Sequence, residues 1–201
     1  MKRISQQEFD ALPIKDGIRI CPGRTDYSAI CIFNERCRFG ESCRFGERCR
    51  FGEGCCFGER CRFDAGCGFG ESCCFGERCR SGESCRFGER CRFGEGCCFG
   101  ERCRFGAGCS FGKGCRIDGT QLVLLDTCVY SASGFGSQDR ITYGFATADS
   151  VWVRCGCWAG LLPAFRKRVK ATKKGVLRKE YLLIADLFQV RWDRLREFCN
   201  V

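Results

Sequence analysis

The chain has 201 residues, 34 Lys and Arg against 24 Asp and Glu, no His, and a formal net charge of +10. Without His it cannot run Ser-His-Asp, Cys-His or His-dependent acyl-transfer chemistry, and no apolar run is long enough to span a bilayer. Its 23 Cys would suit a secreted disulfide scaffold, but the first residues carry no apolar stretch of signal-peptide type; a reducing cytoplasm is expected, with most cysteines acting as small apolar thiols.

In chain order, the first predicted element is a short amphipathic helix. Ser5 and Glu8 form a capping box and the helix stops before Pro13. Residues 1–26 are expected to be this helix and a cap.

A period of six follows, from Phe33 to Cys115. Aromatic residues fall at 33, 39, 45, 51, 57, 63, 69, 75, 87, 93, 99, 105 and 111, with Ser81 as the one lapse and Ile117 at the end. A Cys stands four residues after each of these positions, from Cys37 to Cys115. Tyr27 and Cys31 keep the same phase, so the array is expected over 27–122. Six is neither a helical nor a heptad period, but it is a multiple of two, so strand-like pleating turns residues of one parity inward in every unit.

The unit Phe45-Gly46-Glu47-Arg48-Cys49-Arg50 resembles the hexapeptide repeat of left-handed parallel β-helices, which places an aliphatic residue first and small residues second and fifth. The resemblance implies a mainly β protein whose body is a triangular left-handed parallel β-helix, a solenoid with three units per coil. Its first and fifth side chains point inside, and Gly permits the corner. Phe in place of an aliphatic residue asks for a wider coil. That leaves open a four-sided right-handed helix like that of pentapeptide-repeat proteins, whose unit has five residues. Many hexapeptide-repeat proteins are acyltransferases with a catalytic His, which this chain lacks. No phosphate-binding loop or dinucleotide fingerprint is present either, so no enzyme is expected.

A coil of eighteen residues would stack Arg44, Arg62 and Arg80 in one surface ladder, followed by Cys98 and Arg116. A second ladder would hold Glu41, Glu59, Glu77 and Glu95, beside Ser42, Arg60 and Arg78. Such a surface is self-compensating or serves as a recognition face. Cys56 would lie directly below Cys74, both outward, at a separation that suits a disulfide or a shared soft metal, with Cys98 on a neighbouring column. No third ligand is evident, and no metal or cofactor is expected. Residues 39–67 and 81–109 are nearly the same string displaced by 42 residues, which is not a whole number of coils. Growth of the array would therefore move a copied surface to another face.

Residues 123–137 are expected to finish the rod as a terminal coil or linker, and 138–201 to form a ββαα module. Its strands are predicted over Arg140–Thr147 and Ser150–Cys155, with Ile141, Tyr143 and Phe145 on one apolar face and Val151 and Val153 on another. Pro163 opens a helix to about Lys173, with Gly175 as its stop. A last helix over Leu177–Phe198 carries a stripe of Leu177, Tyr181, Ile184, Phe188, Trp192 and Leu195, which favours a homodimer or homotrimer. Cys155 and Cys157 make a C-x-C pair without a partner pair, read as a strand detail. Arg166, Lys167, Arg168, Lys170, Lys173, Lys174, Arg178 and Lys179 concentrate positive charge in a segment without acidic residues. They suit a solvated face, phosphates or an acidic protein surface.

The core Gly156-Cys157-Trp158-Ala159-Gly160-Leu161-Leu162-Pro163-Ala164-Phe165, the "EFDALP" opening and the "FGExC" array together are similar to uncharacterised bacteriophage and prophage proteins. The resemblance implies a phage origin and the cytoplasm of a bacterial host. The expected function is a non-catalytic interaction protein that binds a host protein or protein complex, for instance as an inhibitor of a host defence system. Two alternatives are a nucleic-acid-binding accessory protein using the basic helices and a small structural phage protein. No membrane partner is expected.

Overall fold

The computed structural model describes residues 1–199 except 107, 113, 118–119, 122–123, 133, 137–140, 148 and 157, with the backbone alone at 120–129 and 198–199. The chain divides into two units, 1–121 and 122–201.

The first unit is a three-sided parallel β-solenoid. Each six-residue repeat contributes one short strand, usually the outward sixth residue and the inward first residue of the next repeat, such as Arg44–Phe45. The strand Arg62–Phe63 pairs in parallel with Arg44–Phe45 on one side and Arg80–Ser81 on the other, an offset of eighteen residues. Parallel sheets of eight, five and seven strands, the first and last each including a terminal antiparallel strand, form the three sides. Three units per coil therefore replace the four-sided alternative.

Ring geometry explains how a triangular coil accommodates Phe. Rings of one column stack face to face, as for Phe45 and Phe63 at 4.8 Å and 4°. Rings of adjacent columns meet edge to face, as for Phe51 and Phe57 at 5.0 Å and 90°. The arrangement satisfies the ring quadrupoles in both directions, and such pairs contribute about 0.5–1.5 kcal/mol beyond area burial.

The corner has a different origin from the one expected. The residue with positive φ is the fourth of the unit, for example Arg48 at 55° and Arg60 at 58°. This left-handed turn aims the Arg48 N–H at the Ala65 carbonyl of the next coil, 2.8 Å away. The Gly in second position serves close stacking instead. A Cβ on Gly58 would lie 2.7 Å from the backbone of Gly40 in the coil below.

The N-terminal residues join the solenoid rather than merely covering it. Lys2–Arg3 pairs with Thr25–Asp26, and Ile18–Cys21 with Cys37–Phe39. Helix α1 (Gln6–Asp10) is capped by Ser5 and Glu8 as expected. Its Phe9, 1% exposed, meets Phe33 edge to face at 5.2 Å and so closes the aromatic column. Tyr27 is buried in phase, but Cys31 is exposed, and Ile30 fills the inward position one residue earlier. At the other end Thr120–Gln121 runs antiparallel to Arg116–Ile117 and ends the parallel stacking.

The second unit is a four-stranded antiparallel meander of Leu124–Ala132, Thr142–Thr147, Val151–Cys155 and Trp158–Leu161. Helices α2 (Leu162–Thr172) and α3 (Gly175–Cys199) follow. Two strands thus add to the expected ββαα order. Within the expected terminal coil or linker at 123–137, Leu124–Ala132 pairs with Thr142–Thr147. Val151, Val153, Phe165, Val169, Tyr181, Ile184, Phe188 and Trp192 form part of the core. Gly144 permits Phe188 to approach, since a Cβ there would lie 2.8 Å from its ring. The opposite face of the sheet also buries Tyr143, Phe145 and Trp152. Apart from Leu177, which is exposed, and Leu195, which is partly buried, the α3 stripe that suggested oligomerisation is buried inside this unit; Val176, Leu183, Leu187 and Val190 are further exposed apolar residues of the helix.

Candidate nucleic-acid interface

Helix α2 carries Pro163 in its first turn, where proline is well suited, and it buries Leu162, Phe165 and Val169 at helical spacing. This packing divides the basic segment into two groups. Arg166 faces α3, where its guanidinium pairs with Asp186 and donates to the Ala185 carbonyl at 3.1 Å. Arg178 Nε donates to the Lys173 carbonyl at 2.7 Å and closes the connection between the helices. These two arginines hold the module together. Lys167, Arg168, Lys170, Lys174 and Lys179 are exposed.

Beside Arg168 lies a small open hollow of about 50 Å³ lined by Trp158, Phe165, Arg168, Val169, Thr172, Lys173 and Tyr181. The Trp158 ring lies 5.5 Å from Phe165, which meets Tyr181 edge to face at 6.1 Å. The Lys173 ammonium stands 5.7 Å over the Tyr181 ring. The hollow thus has an aromatic floor with Arg168 and Lys173 at its rim. Phe165 and Tyr181 are buried, so the half-buried Trp158 is the ring with a face to offer for stacking, and the cations offer phosphate contacts. The basic segment alone does not reveal this juxtaposition, because Trp158 comes from the preceding strand and Tyr181 from α3. The "GCWAG" motif marked Trp158 without indicating that a cation would stand next to it.

On the solenoid, Arg44, Arg62 and Arg80 are in register in one ladder, with Cys98 and Arg116 after them. Exposed ion pairs join Arg24 to Glu41 at 2.9 Å and Arg90 to Glu71 at 3.7 Å. Such pairs contribute little to stability.

The inward cysteines have a repeated bonding pattern. Cys67 Sγ donates to the Gly46 carbonyl at 3.3 Å, and Cys97 Sγ to the Gly76 carbonyl at 3.3 Å. Each of these links reaches a corner carbonyl of the preceding coil. Thiol hydrogen bonds along a column push members in opposite directions, Cys67 up through Cys49 and Cys85, and Cys85 down through Cys103 and Cys67. Removal from water opposes a thiolate at both, and no nearby cation compensates it, so we assign the column neutral thiols.

Cys56 and Cys74 are paired in register, as expected, and Cys98 stands in another sheet. Cys155 Sγ accepts from Thr142 Oγ1 at 3.4 Å, and Cys157 lies outside the described residues. Among the described residues, no group of three His, Cys, Asp or Glu could hold a metal, and no helix is long and apolar enough to cross a membrane. Comparison with protein-family models, curated proteins and solved structures finds no match to this chain.

Proposed function

We propose that the protein is a non-catalytic binding protein whose C-terminal unit holds single-stranded nucleic acid, with the solenoid as a rigid scaffold. The observation that carries this reading is the hollow in which the half-buried Trp158 stands with Arg168 and Lys173, on a helix that also exposes Lys167 and Lys170. Phosphates would lie along the cations and one unstacked base against Trp158. Backbone contacts dominate in such a site, so sequence selectivity is low and salt sensitivity high.

Fluorescence anisotropy with a labelled single-stranded oligonucleotide tests the reading. Affinity is expected to fall linearly on a log scale with salt. Lys167→Glu, Arg168→Glu and Lys170→Glu together should abolish binding at moderate salt while leaving the circular dichroism unchanged. Arg166→Ala should instead destabilise the module, because it removes the side chain that ties α2 to the Ala185 carbonyl and to Asp186 on α3. Binding that ignores salt, or that survives the triple reversal, would overturn the proposal.

A second reading follows from the in-register Arg44, Arg62 and Arg80 ladder. In it the rod engages an acidic host protein or protein complex, as a phage-encoded inhibitor of a defence system would. A stoichiometric partner that survives nuclease during purification, and is lost on Arg62→Glu, supports that reading.

A further inference from the structure

The outward ladder of the seven-stranded sheet runs Arg38, Cys56, Cys74, Arg92 and Ser110. Two thiols therefore face outward on successive coils between two guanidinium groups. Parallel strands lie about 4.8 Å apart, inside the roughly 4.4–6.8 Å that a disulfide spans between Cα atoms. Both cysteines are half-buried, whereas the inward thiols are closed off from solvent. Their protein contacts are long, 3.8 Å from Cys56 Sγ to the Gly54 carbonyl and 3.8 Å from Cys74 Sγ to the Ser72 carbonyl. Neither thiol is held by its backbone contact as firmly as Cys67, at 3.3 Å.

We propose that Cys56 and Cys74 form a redox-active dithiol that peroxide converts to a disulfide joining successive coils. One thiolate attacks a peroxide oxygen, the O–O bond breaks, and a sulfenic acid and hydroxide result. The second sulfur then attacks the sulfenic sulfur, the S–O bond breaks, and water leaves with the second thiol's proton. Two cysteine sulfurs are oxidised and one peroxide is reduced, giving two waters in all once the hydroxide has taken up the proton lost by the first thiol. Arg92 favours the thiolate of Cys74 electrostatically. Burial, followed by the neighbouring Cys56, raises the Cys74 thiol above its ordinary range, and the Arg92 charge on the next coil opposes that rise. Cys98 is a built-in control, because its ladder neighbours are Arg80 and Arg116 and offer no resolving thiol.

The test treats the reduced full-length protein with hydrogen peroxide, alkylates the remaining thiols under denaturing conditions, and maps tryptic peptides. Cleavage after Arg50, Arg60, Arg62 and Arg78 places Cys56 and Cys74 on separate peptides. The expected product is a monomer that has lost two hydrogens, with those peptides linked through Cys56 and Cys74. The link should disappear in Cys56→Ser and in Cys74→Ser and persist in Cys98→Ser. Ser110 occupies the same ladder, so serine is compatible with the fold there. A link that persists in either single variant would place the bond on the inward Cys55, Cys67 or Cys73 and overturn the proposal. So would an intermolecular dimer, or thiols that stay fully alkylatable.

Discussion

Ser81 is the clearest single-residue test of how the solenoid is built. It occupies the inward first position of its unit, 8% exposed, and pairs with Phe63 below and Phe99 above. Each of those rings still packs against neighbours in other columns, but the face-to-face stack of this column is interrupted. Ser81→Phe should restore the stack and stabilise the protein by about 1.5–3 kcal/mol, the range for full burial of such a side chain. A denaturant midpoint that falls instead would show that the column has relaxed around the serine. The inward positions were legible in the sequence because Phe and Cys recur at one parity. The division of labour at the corner was not, because a left-handed Arg such as Arg60 leaves no compositional mark, and a Gly required for close stacking looks like a Gly required for a turn.

At the scale of elements, the thiol columns give the solenoid a pH dependence. Cys55 is pushed up to about 12, first by its hydrogen bond with Cys37 and also by burial, and Cys73 and Cys79 are raised for the same kinds of reason. A thiol whose folded pKa is raised contributes stability that is complete below its unfolded pKa, near 9.0. That contribution is lost as the pH rises through the folded value. Each such thiol adds a slope of about 1.4 kcal/mol per pH unit in that window. The unfolding midpoint should therefore be level from about pH 6 to 8 and drop steeply above about pH 9. A midpoint that stays level well above the ordinary thiol range would contradict neutral, buried thiols. The capping box at Ser5 and Glu8 and the Pro163 start of α2 were readable because both are local signals. Leu124–Ala132 escaped notice because "LLDTCVYSA" lacks clean alternation and its partner strand lies further along the chain. Trp158–Leu161 is only four residues long and contains Ala159 and Gly160, so it carries little strand signal of its own.

For the whole molecule, the solenoid and the C-terminal module answer to different constraints. The solenoid repeats one packing solution, so its surface follows from the same eighteen-residue register that orders its core. The module assembles its candidate site from a strand and two helices, and there the sequence showed the charge but not that Trp158 stands beside Arg168 and Lys173. Its eight basic residues looked equivalent in sequence, yet Arg166 and Arg178 are committed to helix packing while Lys167, Arg168 and Lys170 face solvent. The most direct measurement is ultraviolet cross-linking of a single-stranded oligonucleotide to the intact protein, followed by peptide mapping. The account predicts a cross-link at Trp158 that competes with unlabelled oligonucleotide and vanishes when Lys167, Arg168 and Lys170 are reversed in charge. Cross-links confined to the Arg44, Arg62 and Arg80 face of the solenoid, or none at all at low salt, would contradict it.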